Sequence, residues 1–223
     1  MTRIYLPSVG PDAWQQLLAK PELHWATGYS ARTLAHSWEA AAGLPPEIAQ
    51  LLKSLGGEAE LLLALPEHKT PLPGGRRESQ SDVFALLRVA GQLVACTIEG
   101  KVDEPFGPTV EEWLVDASSG KQERLGYLAK LLGLSEPVAG DVRYQLFHRT
   151  ASAVVEAQRF GASGAAMIVH SFSPDARWFE DYARFCALFG LTAKAGQLLT
   201  ARLPDGKLLY LGWAGGDQRF RAM

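Results

Sequence analysis

Asp82, Glu99 and Lys101 are the residues whose types and spacing carry the clearest chemistry in this chain. Asp82 opens one apolar run, and Glu99-Gly100-Lys101 closes the next, with a turn at Gly91-Gln92 between them. Residues two apart on a β-strand project to the same face, so Glu99 and Lys101 point together. A hairpin lays the strand of Asp82 alongside them. Two carboxylates and an ammonium at one spot form a site for a hard cation, Mg²⁺ or Mn²⁺, with an activating lysine. Such a site suits phosphodiester hydrolysis. The cation neutralises the phosphoryl oxygens and activates a water, and the lysine orients or deprotonates that water. The bland alternative is a solvated strand end carrying an ordinary ion pair.

The flanking pattern sets the elements that must hold these residues. Ala31, Leu34, Trp38 and Ala42 recur at helical spacing, and Pro45-Pro46 restarts a second helix within residues 30–55. A short apolar run at 59–65 reads as a strand ending at Pro66, and 71–80 reads as a loop. Strands are expected at 82–89 and 92–101, and helices at 110–115 and 122–132. The segment 142–160 is a helix with an apolar stripe of Phe147, Ala151, Val154 and Val155. Its polar face carries Gln145, Arg149, Ser152 and Glu156, with His148 adjacent. A buried strand at 165–172, a helix at 177–189 stopped by Gly190, and a hairpin around Pro204-Asp205-Gly206 complete the chain. This order suits an α/β sandwich with a mixed sheet.

Composition narrows the classes. The 223 residues, 47% hydrophobic and 21% charged, suit one sizeable domain spanning 1–223. No apolar run approaches the ~20 residues of a membrane span, and the N-terminus lacks a signal-peptide core, so cytoplasmic residence is expected with no membrane partner. Cys96 and Cys186 read as buried free thiols, and no Cys/His group has zinc spacing. A net charge of −2 argues against a strongly basic nucleic-acid surface. Gly74-Gly75 and Gly215-Gly216 fit no phosphate-loop fingerprint, and the tryptophans read as packing residues. His170 reads as a satisfied strand-end histidine, Asp103-Glu104 as a turn, and Arg76-Arg77 as a solubilising loop pair. The high Ala, Leu and Arg content is compatible with a GC-rich bacterial source.

Taken with the order helix, three strands, helix, strand, the Asp82 and Glu99-Gly100-Lys101 pattern resembles the PD-(D/E)XK nuclease superfamily. The resemblance covers about residues 30–172 and leaves 173–223 as a C-terminal extension of a helix and a β-hairpin. Ser81 stands where the signature has proline. The resemblance implies a restriction-endonuclease-like three-layer sandwich, a central mixed sheet flanked by helices. It also implies that Asp82 and Glu99 bind Mg²⁺ or Mn²⁺ with the Gly100 carbonyl, and that Lys101 is catalytic. By the same resemblance Glu39 is a first-helix acid, and Gln145 supports the site from the later helix. Arg149 beside it is expected to clamp phosphate.

The expected activity is metal-dependent hydrolysis of nucleic acid, DNA before RNA. The alternative is a non-catalytic binding or assembly protein on the same scaffold. A third option is hydrolysis of a small substrate, which a narrow closed pocket favours over an open groove.

Overall fold

Proline and glycine punctuation sets the entry to the fold. The computed structural model describes residues 8–75 and 77–223. After a 3₁₀ turn at Pro11–Leu17 come α1 (Pro21–His24), α2 (Ser30–Ala40) and α3 (Pro46–Leu52). Pro21 and Pro46 each sit in the first turn of their helix, where the missing N–H costs nothing. Three strands follow as an antiparallel meander: β1 (Ala59–Thr70), β2 (Ser79–Val89) and β3 (Gln92–Lys101). The β2–β3 turn is Ala90-Gly91, one residue earlier than expected. Both residues have positive φ (48° and 78°), as a two-residue turn between twisted strands requires.

The chain then crosses over through α4 (Val110–Trp113), α5 (Ser119–Leu132) and α6 (Tyr144–Arg159) to β4 (Gly164–Ser171), which runs parallel to β3. After α7 (Phe179–Ala187), β5 (Leu198–Arg202) and β6 (Leu208–Gly215) form the expected hairpin. This hairpin joins the sheet, because β6 pairs parallel with β4. The result is a six-stranded mixed sheet in the order β1-β2-β3-β4-β6-β5. The segment after residue 172 thus completes the sheet.

Alternating side chains feed a core on each face. Phe84, Leu86, Met167 and Trp213 pack with Phe147 of α6 and Phe185 of α7. Val83, Ala85, Ile98 and Ile168 pack on the other face with Leu34 and Trp38 of α2 and Ile48 of α3. Helices on both faces make three layers. Each large side chain buried there contributes about 1.5–3 kcal/mol. Cys96 and Cys186 are free and buried, and they lie in the cores on opposite faces of the sheet. Among the described residues no helix is long and apolar enough to cross a membrane.

Two departures from expectation matter for the site. First, β1 runs on through Pro66 to Thr70. It is the sheet's edge strand, where a proline forfeits no ladder bond to a second neighbour. Second, the polar face of α6 turns inward. Arg149, Ser152 and Glu156 are all buried, against a sheet that contributes Thr70, Thr97 and Glu99 as polar partners.

Candidate functional site

The site forms where β2 and β3 part. Their ladder ends with Val83 opposite Ile98, so the next residues along are Asp82 and Glu99. On the other side, β1 pairs Pro66 with Val83 and His68 with Ser81, which leaves Glu67 opposite Asp82. A row of three carboxylates, Glu67, Asp82 and Glu99, therefore crosses three adjacent strands. Where a ladder bond would continue, the Gly100 amide instead donates to Asp82 Oδ2 at 2.7 Å. A Cβ on Gly100 would stand 3.2 Å from Leu34 Cδ2 and 3.3 Å from that same Asp82 oxygen, so only glycine leaves the approach free. Glu67 holds a positive φ of 51°, a strained backbone for a non-glycine residue in a strand.

Glu99 is the hub. Its Oε1 accepts from Lys101 Nζ at 2.7 Å and from Gln145 Nε2 at 2.7 Å, and its Oε2 accepts from Arg149 Nε at 2.5 Å. Gln145 and Arg149 lie four residues apart on α6, so one helix face brings both to the strand. Thr97 Oγ1 donates to the Arg149 carbonyl at 3.0 Å and fixes the helix against β3. Lys101 Nζ also lies 4.9 Å from the centre of the Phe106 ring.

This pairing splits the three acids. Burial works to push Glu99 up, but Arg149 and Lys101 outweigh it and hold the carboxyl down at about 2. Asp82 goes the other way, to about 7, driven by burial and then by the Glu99 charge. Glu67 rises to about 8 through burial and the charge of Asp82, against a hydrogen bond from Gln80 Nε2 at 2.8 Å. For both acids, burial and like charge outweigh the lowering pull of Arg149.

Among the described residues, no hydrogen-bond donor reaches Asp82 Oδ1 or Glu67 Oε1, and Glu99 Oε2 has a lone pair left beside Arg149. Carboxylate oxygens are the donor type that a hard dication takes, with water or substrate oxygens at its other positions. Among the described residues, no group of three or more His, Cys, Asp or Glu side chains is placed to hold a metal ion.

An open cleft of about 470 Å³ lies over this row, floored by Glu67, Asp82, Glu99, Lys101 and Arg149. The N-terminal segment supplies another wall through Leu18, Ala19, His24 and Tyr29. Glu104 braces the mouth: its Oε1 accepts the Ser30 amide at 3.0 Å and its Oε2 the amides of Val102 and Asp103. The chain bends at Val102-Asp103, and Glu104, expected with Asp103 to form a turn, lies outside regular structure just before Pro105.

Other expected residues have different partners from those expected. Glu39 does not reach the cleft. Its Oε1 accepts the Trp14 indole N–H at 2.8 Å and the Ser8 hydroxyl, which ties α2 to the N-terminal segment. Arg149 pairs with Glu99 instead of standing free for a phosphate. His170 is buried on the α3 face with Nε2 2.6 Å from Glu47, and burial lowers its pKa. Arg76 lies outside the described residues. The Arg77 carbonyl accepts from Arg124, whose guanidinium also gathers the carbonyls of Leu72 and Pro73 and so orders the β1–β2 connection. Glu67 and Gln80 are site residues that sequence reasoning missed. The available signal was Glu67 lying fifteen residues before Asp82, the spacing of a meander pair if Pro66 is allowed inside an edge strand.

The profile of DUF6946, a domain of unknown function, matches residues 7–218, a span that holds every element of the site. No curated protein and no solved structure gives a significant match. The chain belongs to the DUF6946 family.

Proposed function

We propose that this protein is a Mg²⁺- or Mn²⁺-dependent phosphodiesterase of the PD-(D/E)XK type, acting on nucleic acid and most readily on DNA. The observation that carries the reading is the carboxylate row at the β2–β3 fork, where Asp82 and Glu67 repel each other and Glu99 in a cleft. A dication relieves that repulsion and is the natural occupant. Asp82 and Glu99, with the Gly100 carbonyl, hold the ion. Bound there, the ion supplies an activated water and charge neutralisation at phosphorus. Lys101 presents its ammonium to charge developing on the phosphoryl oxygens, and Gln145 and Arg149 hold Glu99 in place. A restriction-endonuclease-like topology is supported by the antiparallel β1-β2-β3 meander, the α6 crossover and the parallel β4.

The test is hydrolysis of bis(p-nitrophenyl) phosphate and of single-stranded and duplex DNA, with Mg²⁺ or Mn²⁺ against a chelator. Asp82→Asn, Glu99→Gln and Lys101→Met should each reduce turnover about 10- to 100-fold or more. Metal-independent activity, or activity unchanged in all three variants, rejects the assignment.

A second reading has one observation in its favour. Glu99 is already satisfied by three internal donors, as a purely structural ion cluster would be. A non-catalytic binding or assembly protein would show that cluster and bind no metal.

A further inference from the structure

We propose that the cleft takes a single unpaired nucleotide, its base stacked on Tyr29 and its phosphodiester over the Asp82–Glu99 row, and excludes paired duplex. The inference rests on the phosphodiesterase reading for the phosphate and stands on separate observations for the base.

The first observation is the wall. Leu18, Ala19, His24 and Tyr29 line the same cleft of about 470 Å³ as the acids. That volume is of the order that accommodates a small-molecule ligand. A double helix offers its backbone along an extended face, and its bases stay stacked out of reach unless extruded. Ser30 and Glu104, hydrogen-bonded at 3.0 Å, tie this wall to the turn after β3, so it is braced in place.

Charge is the second observation. The described residues lining the cleft include four carboxylates (Glu67, Asp82, Glu99 and Glu104) and two permanent cations, Lys101 and Arg149. Both cations are already engaged by Glu99. Proteins that grip duplex DNA draw much of their affinity from lysines and arginines spread along successive phosphates. This cleft has no such track among the described residues. With one dication bound, it matches one phosphate and little more.

Tyr29 supplies the third. It is 48% exposed, whereas most large aromatic side chains of the fold are buried, and it lines the cleft. An exposed aromatic beside a single-phosphate site is a platform for one base, tolerant of sequence because every base has a π-face. His24, also exposed and lining the cleft, adds a second ring on that wall.

Two sources share this chemistry: a free dinucleotide and an unpaired stretch of a longer strand. Thymidylyl-(3′→5′)-thymidine and a fluorescein-labelled single-stranded oligothymidylate separate them, with the annealed duplex as the third arm. Binding is read by anisotropy, with unlabelled dinucleotide as competitor, in Ca²⁺. Cleavage is read in Mg²⁺ or Mn²⁺. The single strand or the dinucleotide should bind at least about 10-fold more tightly than duplex. The slope of log Kd against log salt should be about 1 or less in magnitude. Tyr29→Ala should raise KM and Kd about 10-fold with kcat nearly unchanged, and Tyr29→Trp should restore them. Duplex binding equal to single-strand binding, or Kd unmoved by Tyr29→Ala, overturns the inference. Tyr29-dependent single-strand binding without cleavage supports it and sinks the phosphodiesterase reading. Metal-dependent cleavage of all arms alike does the reverse.

Discussion

Asp82 accepts the amide hydrogen of Gly100 at 2.7 Å, just past the last ladder pair of β2 and β3. A side chain thereby closes the hydrogen-bond account of a strand that has lost its neighbour, and it holds the fork open over the cleft. Gly100→Ala tests that geometry. Its added methyl meets Leu34 and the Asp82 carboxylate at 3.2 and 3.3 Å. The substitution should cost about 1–3 kcal/mol in urea unfolding and move Asp82 off the site. Wild-type stability together with wild-type activity would show that the fork tolerates a side chain.

Arg149 and Glu99 form a buried ion pair at 2.5 Å. Arg149→Ala should destabilise by about 3–5 kcal/mol, because it strips one charge from a buried cluster and leaves the other behind. Removing both, as Glu99→Gln with Arg149→Met, should cost less than the sum of the single changes. A double-mutant cycle by urea denaturation measures the coupling. Additive losses would mean that the two groups do not depend on each other.

Much of this arrangement was legible in the sequence, for reasons that particular residues show. The β2–β3 hairpin announces itself through two apolar runs around a glycine, and Glu99-Gly100-Lys101 ends a strand with the right parity. Gln145 was legible because helical spacing put it on the polar stripe of α6. The direction of that stripe was not legible, since only tertiary packing shows that Arg149 turns inward to Glu99. Glu67 was hidden by Pro66, which reads as a strand end unless the strand is known to be an edge. Glu39 looked suitable by position in the first long helix, but its carboxylate is used by the Trp14 indole, a contact that local pattern does not reveal. The place of 173–223 in the sheet depends on β6 pairing with β4, a long-range parallel contact without local signature.

Glu67 should trade stability for function. Its backbone lies in the left-handed region and its carboxyl is held up at about 8 by burial and by Asp82. Glu67→Gly relieves both, and should stabilise the protein by about 1 kcal/mol or more while lowering metal-dependent activity. Glu39→Gln is the contrast: activity stays within about twofold, with at most about 1–2 kcal/mol lost at the Trp14 contact. Equal activity losses in the two variants would erase the distinction between cleft and scaffold.

The pH dependence of stability follows from the split carboxylates. Asp82 and Glu67, raised from the usual 3.8 and 4.5 to about 7 and about 8, keep protons in the folded state that the unfolded chain has released. Their contribution therefore falls as pH rises from about 4 to about 8. Glu99, held down at about 2, contributes stability above its unfolded value that is lost on acidification toward about 2. Thermal unfolding from pH 5 to 8 should show Tm declining in chelator and recovering with Mg²⁺. Asp82→Asn should flatten the slope. A Tm that rises steadily over that range would contradict the assignment of two raised acids.

The most direct measurement of the central claim is Mn²⁺ titration, followed by the electron paramagnetic resonance signal of the free ion. Wild-type protein should remove Mn²⁺ from solution at one saturable site, and Mg²⁺ should compete for it. Asp82→Asn and Glu99→Gln, each checked for native circular dichroism, should leave the ion free. Full free-ion signal with folded wild-type protein, or binding undiminished in both variants, would contradict a cation site at the β2–β3 fork.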